Sequence, residues 1–146
     1  MAEDQLQAPP EMGPGQSFLS GLSDKFSQRV RWVIWVLYVI AWTKALLTEN
    51  PVRPGNNPAL QYQLFLFSKT VHVTAYALLA ALSGWLHVPP RSRWLLLVFM
   101  SLHAFLTEFG QHFYETRHPS LRDVGLDHLG ILLGVLLTWS WWRGRP

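Results

Sequence analysis

The sequence predicts an all-α integral membrane protein with four transmembrane helices and both termini in the cytoplasm. Three observations lead to this fold class: four long runs that carry almost no charge, lysines and arginines at alternate ends of those runs, and eight tryptophans that lie mostly near the same ends. Runs such as LLLVFMSLHAFL have no polar face, and a helix of a soluble bundle would need one. We therefore expect a multi-pass membrane protein.

The composition narrows the function as well as the fold. The 146 residues have room for one domain, and 49% of them are hydrophobic. The absence of cysteine excludes disulfides, iron–sulfur clusters and thiolate metal sites. The twelve lysines and arginines are dispersed at segment ends rather than gathered in one patch, so no nucleic acid partner is predicted, and no cofactor is expected.

The first half of the chain is predicted to hold a tail, one span and a loop. Residues 1–28 mix proline, glycine, glutamine and acidic residues without apolar periodicity, which is typical of a disordered tail, and residues 29–146 form the transmembrane domain. The first span covers about residues 30–47. The connection from there to residue 68 is rich in proline and asparagine, so it is predicted to be an irregular loop or a re-entrant stretch.

Three more spans follow, and their flanking charges set the topology. The second span covers about residues 69–86, the third 94–112 and the fourth 124–142, and paired prolines end the second. Seven basic residues lie on one side against three in the opposite loops: Lys25, Arg29, Arg31, Arg91, Arg93, Arg143 and Arg145 against Arg53, Arg117 and Arg122. This asymmetry places both termini in the cytoplasm.

Polar side chains form stripes at the outer ends of three spans. Residues three or four positions apart share one helix face, and such spacings occur in each stripe: Lys69, His72 and Tyr76; Glu108, Gln111 and His112; Asp123, Asp127, Gly130 and Gly134. A charge in hydrocarbon costs roughly 2.5–3.5 kcal/mol, so these groups are expected to converge on one another or on water. The sequence thus predicts an outward-facing polar pocket between spans two, three and four.

These stripes resemble the signature of the VanZ-like family of small bacterial membrane proteins, named for a member associated with resistance to the glycopeptide teicoplanin. The family pattern is Asp-Lys-x-x-His-x-x-x-Tyr, then Glu-x-x-Gln, then an Arg followed by Asp-x-x-x-Asn-x-x-Gly-x-x-x-Gly. The similar positions, within residues 30–142, are Ser68, Lys69, His72, Tyr76, Glu108, Gln111, Arg117, Asp123, Asp127, Gly130 and Gly134. Ser68 replaces the family's Asp and Asp127 its Asn, which makes this chain a divergent member. The resemblance implies a place in the bacterial inner membrane and a role in the cell envelope, linked to antibiotic tolerance.

Three functions fit the predicted pocket. The leading hypothesis is binding of an anionic membrane lipid or a lipid-linked envelope precursor, with Lys69, Arg117 and Arg122 carrying anion recognition. The rival is an intramembrane hydrolase or transferase in which Glu108 or Asp127 is the base, His72 its acid–base partner and Lys69 an oxyanion stabiliser. The third is a membrane scaffold without chemistry.

Simpler interpretations accompany several of these residues. Lys69 with Glu108 or Asp127 fits a packing ion pair equally well. The five possible metal ligands lack a diagnostic spacing, so no metal site is predicted: His72, Glu108, His112, Asp123 and Asp127. Gly130 and Gly134 favour close packing on alanines of the second span, with homodimerisation as the weaker alternative, and the oligomeric state stays open. His87, His103 and His118 lie off the stripes, and no role in the site is predicted for them.

Overall fold

All regular secondary structure in the described part of the chain is helical. A computed structural model describes residues 14–48, 55, 57–113 and 120–143, with side chains from residue 23 onward. Its helices are α1 (Pro14–Leu47), α2 (Pro58–Trp85), α3 (Arg93–Gln111), α4 (Leu121–Leu137) and the short α5 (Trp139–Trp142), and a 3₁₀ turn at Pro90–Ser92 precedes α3. The predicted all-α class is confirmed.

Three of these helices are long and apolar enough to cross a membrane. They are Ser23–Leu47 within α1, Pro58–Trp85, and Pro90–Gln111 including the 3₁₀ turn. Helix α4 has 17 residues, which at 1.5 Å per residue is about 25 Å, against a hydrocarbon core of about 30 Å. The structure therefore supports a membrane protein with three candidate spans among the described residues.

The predicted fourth helix, residues 124–142, is broken near its end. Thr138 leaves helical geometry (φ −112°, ψ 29°) and donates its hydroxyl hydrogen to the Gly134 carbonyl at 2.6 Å. Helix α4 therefore stops at Leu137, and a single turn, α5, resumes at Trp139.

Helix α1 begins earlier than the sequence analysis expects. It starts at Pro14, so residues 14–28 are helical where a disordered tail is predicted, whereas residues 1–13 lie outside the described part of the chain. The proline content of the segment was the misleading signal, since a proline in the first turn of a helix loses no helical hydrogen bond.

Helix α2 also begins before its predicted start, and for a similar reason. The side-chain oxygen of Asn57 accepts from the backbone N–H groups of Ala59 (3.1 Å) and Leu60 (3.2 Å), and Pro58 occupies the first helical position. Asparagine followed by proline is here a helix cap rather than part of a loop. The prediction of an irregular connection up to residue 68 is therefore wrong for residues 58–68.

Helix α2 packs against each of the other long helices. Its fully buried side chains include Tyr76, Leu79 and Ala80, which meet Met100 and Ala104 of α3 in the core. From α1, Trp35 donates its indole N–H to the hydroxyl of Ser83 at 2.8 Å, inside this core. Many large apolar side chains on the outer surfaces are exposed, such as Leu37, Leu106 and Leu137, which suits contact with lipid.

Helices α2 and α4 run in the same direction and in tight contact. A Cβ added at Gly130 would lie 3.0 Å from Cβ of Tyr76 and overlap the Val73 carbonyl, and one added at Gly134 would lie 2.7 Å from Cβ of Ala80 and overlap the Ala77 carbonyl. The two glycines thus let the backbones touch, as small residues do between membrane helices. This contact fixes the register in which polar residues of α2 and α4 face each other.

Candidate functional site

Two polar pairs cross the α2–α4 contact just beyond the glycines. Lys69 Nζ lies 2.5 and 2.7 Å from the two carboxylate oxygens of Asp123. One turn further into the bundle, His72 Nδ1 lies 2.8 Å from Asp127 Oδ1, with residue exposures of 5% and 1%. The partners are 54 and 55 positions apart, because the parallel helices keep one register. The predicted pairing of Lys69 with Glu108 or Asp127 is therefore wrong, since its partner is Asp123.

A second network joins the same region to α1 and α3. The Tyr76 hydroxyl lies 2.9 Å from His103 Nδ1 and 3.2 Å from Thr107 Oγ1, and His103 Nε2 lies 2.8 Å from Thr43 Oγ1. Thr43 also bonds the Val39 carbonyl at 2.7 Å. If Thr43 donates to Val39, a neutral His103 donates from Nε2 to Thr43 and accepts from Tyr76 at Nδ1. The Thr107 hydroxyl then donates either to Tyr76 or to the His103 carbonyl, which lies 2.8 Å away.

His103 and Thr107 are the two members of this site that were not predicted from the sequence. His103 is buried and links Tyr76 to α1, although it was predicted to have no role. The signal was present, because His103, Thr107, Glu108 and Gln111 follow the helical spacing of one buried face of α3. That stripe extends five residues, about one and a half turns, deeper than the three residues at the helix end suggest.

Three buried polar atoms of the site have no partner within the described residues. They are Glu108 Oε2, Gln111 Nε2 and Asp127 Oδ2. The other Glu108 oxygen accepts from the backbone N–H of Ser120, which is the cap residue of α4. Because buried polar groups are almost always hydrogen-bonded, these three atoms mark a place where a water or a ligand belongs.

We call these nine residues the polar cluster: Lys69, His72, Tyr76, His103, Thr107, Glu108, Gln111, Asp123 and Asp127. Trp42 of α1 covers one side of it, with its ring edge-on to the rings of His72 and Tyr76 at centroid distances of 6.1 and 6.2 Å. If all its acids are ionised, three carboxylates face one ammonium group. The polar cluster is therefore richer in acceptors than in donors.

An apolar groove of about 390 Å³ adjoins the polar cluster between α1 and α3. Its apolar walls are built by Leu47, Phe99, Leu102 and Leu106. Thr43, His103 and Thr107 also line the groove, and they are the groups that hydrogen-bond to one another and to Tyr76. The polar cluster and the apolar groove thus share His103 and Thr107.

The remaining predicted site residues stand apart from the polar cluster. His112 and Arg122 are exposed, and Arg117 lies outside the described residues. His128, next to Asp127, turns toward α3, where its Nε2 lies 2.8 Å from Ser101 Oγ. Within the described ranges, no three His, Asp or Glu side chains are grouped so as to hold a metal ion.

No protein-family model, curated protein or solved structure matches this chain. The VanZ-like resemblance thus rests on the motif positions alone, four of which (Lys69, His72, Asp123 and Asp127) make the two polar pairs of the α2–α4 contact.

Proposed function

We propose that this chain is a divergent VanZ-like protein of the bacterial inner membrane whose polar cluster binds an anionic lipid or a lipid-linked envelope precursor. One observation carries the proposal: a buried polar cluster with three unpartnered atoms adjoins an apolar groove. A molecule that fills both must have a polar head and an apolar tail. Lipids and lipid-linked precursors have this form.

The charge of the polar cluster defines the head group further. Lys69 is paired with Asp123, and the free carboxylate oxygens of Glu108 and Asp127 call for hydroxyl, amide or ammonium donors on the ligand. The anionic part of the ligand would meet Arg122 and the exposed fraction of Lys69. Arg117, the third cation that the sequence predicts for this role, lies outside the described residues. We therefore infer a head group that carries both a phosphate and hydrogen-bond donors.

We further propose that α4 and α5 together form a fourth span and that both termini are cytoplasmic. Helix α4 lies along α2 from Asp123 to Gly134, so it shares the membrane depth of a helix that is itself a candidate span. Reporter fusions after residues 20, 90 and 146 should report the cytoplasm, and fusions after residues 57 and 118 the outside. An external signal at residue 90 would reject this topology.

Lipid retention tests the binding proposal directly. Glu108→Gln keeps an oxygen for the backbone N–H of Ser120 and nearly the same shape, but it removes the charge at the unpartnered oxygen. Native mass spectrometry of purified protein should show at least a tenfold loss of co-purified anionic lipid in this variant. His128→Gln, a polar residue of α4 that faces Ser101 instead of the polar cluster, is the control and should retain the lipid. Equal retention in both variants would contradict the proposal.

A second test of the binding proposal examines the cell envelope of a strain that lacks the protein. A strain lacking the protein should accumulate or lose one class of anionic envelope lipid and change its susceptibility to teicoplanin. The strain with Glu108→Gln should behave like the deletion, and the strain with His128→Gln like the wild type. A deletion strain with an unchanged lipid profile would refute the envelope role.

A second candidate is an intramembrane hydrolase or transferase, and the His72–Asp127 pair favours it. The carboxylate binds Nδ1, so Nε2 of His72 is left to take a proton from a substrate or a water. The two candidates differ in turnover. Purified protein incubated with its co-purified lipid would yield a cleaved or transferred product if it is an enzyme, and would release the lipid unchanged if it only binds.

A further inference from the structure

A second cavity lies at the opposite end of the bundle from the polar cluster. It has a volume of about 530 Å³ and is bounded by the last turn of α2, the Pro89–Pro90 turn, the start of α3 and α5. Two arginines, Arg31 and Arg93, and two tryptophans, Trp85 and Trp141, line it. The function proposed above makes no use of this cavity.

The cavity is cationic. None of its lining residues is acidic, and neither arginine has a carboxylate within ion-pair distance in the described part of the chain. His87 also lines a neighbouring groove, which holds Lys25 and Arg29 with one acid, Asp24. Guanidinium groups without counter-charges attract an anion to this end of the bundle.

The arginines also have structural bonds, which account for only part of their donors. Arg31 Nη1 donates to the Trp85 carbonyl at 3.1 Å and lies 2.9 Å from His87 Nε2, and its Cζ lies 4.9 Å from the centroid of the Trp85 ring. Arg93 Nη1 donates to the carbonyls of Trp141, at 2.6 Å, and Trp142. These bonds cap the ends of α2 and α5.

A guanidinium has five N–H donors, so each arginine has donors left over after capping. Arg31 Nε is buried and has no acceptor within the described residues, and no bond from Nη2 of either arginine is found there. Capping alone would not require a cavity between the two groups. A bound anion would account for the cavity and would use the Nη2 donors that capping leaves over.

We propose that this cavity binds a phosphate group between Arg31 and Arg93. The guanidinium fork matches phosphate oxygens in pairs, and indole rings such as those of Trp85 and Trp141 favour the depth of lipid head groups. The phosphate is that of an anionic membrane lipid or of a soluble phosphate compound. The site is separate from the polar cluster, so this proposal does not depend on the function proposed for that cluster.

The test uses the full-length protein purified in a zwitterionic detergent. Thermal stability and native mass spectrometry are recorded on titration with short-chain phosphatidylglycerol, short-chain phosphatidylcholine and inorganic phosphate. The phosphatidylglycerol affinity should fall at least about tenfold in Arg31→Gln and in Arg93→Gln, as expected for loss of a charge-assisted hydrogen bond. Arg91→Gln, an exposed arginine outside the cavity, should bind as the wild type does.

A further variant guards against misfolding of the arginine variants. Val88 lines the cavity, so Val88→Phe narrows it without removing either guanidinium group. It should bind phosphatidylglycerol at least about tenfold more weakly than the wild type while melting at a similar temperature.

Each result has a defined meaning. Preference for phosphatidylglycerol over phosphatidylcholine, lost in the cavity variants alone, supports a lipid phosphate. If inorganic phosphate binds, loses its binding in the cavity variants alone, and the protein shows no preference between the two lipids, a soluble phosphate compound is supported instead. Equal binding of both lipids with no phosphate binding, or equal losses in Arg91→Gln and the cavity variants, overturns the proposal.

Discussion

The two ends of this bundle hold charge in different ways. In the polar cluster, ionised side chains lie between helices and meet partners across the α2–α4 contact, as in the pair of Lys69 and Asp123. At the other end, Arg31 and Arg93 meet backbone carbonyls at helix ends. A charge between membrane helices needs an opposite charge or a ligand, whereas a cation at a helix C-terminus is stabilised by the unpaired carbonyls. Removing one partner should therefore be more damaging in the polar cluster than at the opposite end.

The largest effect is expected at the glycine contact that sets the register of the polar pairs. Gly134→Leu would force side-chain atoms into the Ala77 carbonyl and Ala80, so α4 must move away from α2. We expect a loss of about 3 kcal/mol or more in stability, or no folded protein at all. Thermal melting and yield in detergent measure it.

Gly125 supplies the matched control for this substitution. It lies on the same helix, is exposed, and a Cβ there would meet no atom within 4 Å. Gly125→Leu should therefore melt close to the wild type. Similar melting of the Gly134 and Gly125 variants would mean that the close α2–α4 contact does not hold the polar cluster together.

The next largest effect is expected for Lys69→Met, which leaves Asp123 without its cation. The side chains are 24% and 9% exposed, so the charge left behind is largely cut off from water. The expected cost is about 2–4 kcal/mol in the free energy of unfolding, and Lys69→Met combined with Asp123→Leu should recover much of it. If the double variant is no more stable than Lys69→Met alone, the two residues are not an energetic pair.

A smaller effect is expected for the same change at the opposite end. Arg93→Met removes hydrogen bonds to the Trp141 and Trp142 carbonyls but leaves no acidic partner behind. The expected cost is about 1–2 kcal/mol, because carbonyls at a helix end near a membrane surface can turn to water. Denaturation of Arg93→Met beside Lys69→Met under identical detergent conditions measures the difference. A larger loss for Arg93→Met would reverse the comparison between the two ends.

The all-α fold follows from local signals, and its boundaries depend on caps. Long uncharged runs leave helices as the natural structure in a membrane, so the class could be predicted from residues such as those of α3 alone. The starts at Pro14 and Pro58 could not, because proline and asparagine occur both in loops and in the first turn of a helix. The break at Thr138 lies within an apolar run whose periodicity continues across it, so the sequence pattern does not reveal it.

The stripes that build the polar cluster could be predicted from the sequence, but the pairing of their residues could not. The stripes on α2, α3 and α4 follow from helical spacing, which is a local property. The partner of Lys69 depends on the register of α2 and α4, and this register is set by the depth to which Gly130 and Gly134 seat on α2. His103 was missed because its importance comes from Tyr76 and Thr43, which belong to other helices.

The smallest change in stability, and the most informative for function, is expected for Glu108→Gln. The amide keeps an oxygen that can accept from the backbone N–H of Ser120, so the variant should lose less than about 1 kcal/mol. Glu108→Ala removes that acceptor and should lose about 1–2 kcal/mol more.

The other carboxylate oxygen, Oε2, has no partner within the described residues. At this atom Glu108→Gln therefore removes a negative charge that is available to a ligand. If the polar cluster binds a head group through its carboxylates, a well-folded Glu108→Gln protein should lose its co-purified lipid and the strain should behave like the deletion. A well-folded Glu108→Gln protein with full lipid retention would remove Glu108 from the binding site, and would leave it the single role of capping α4.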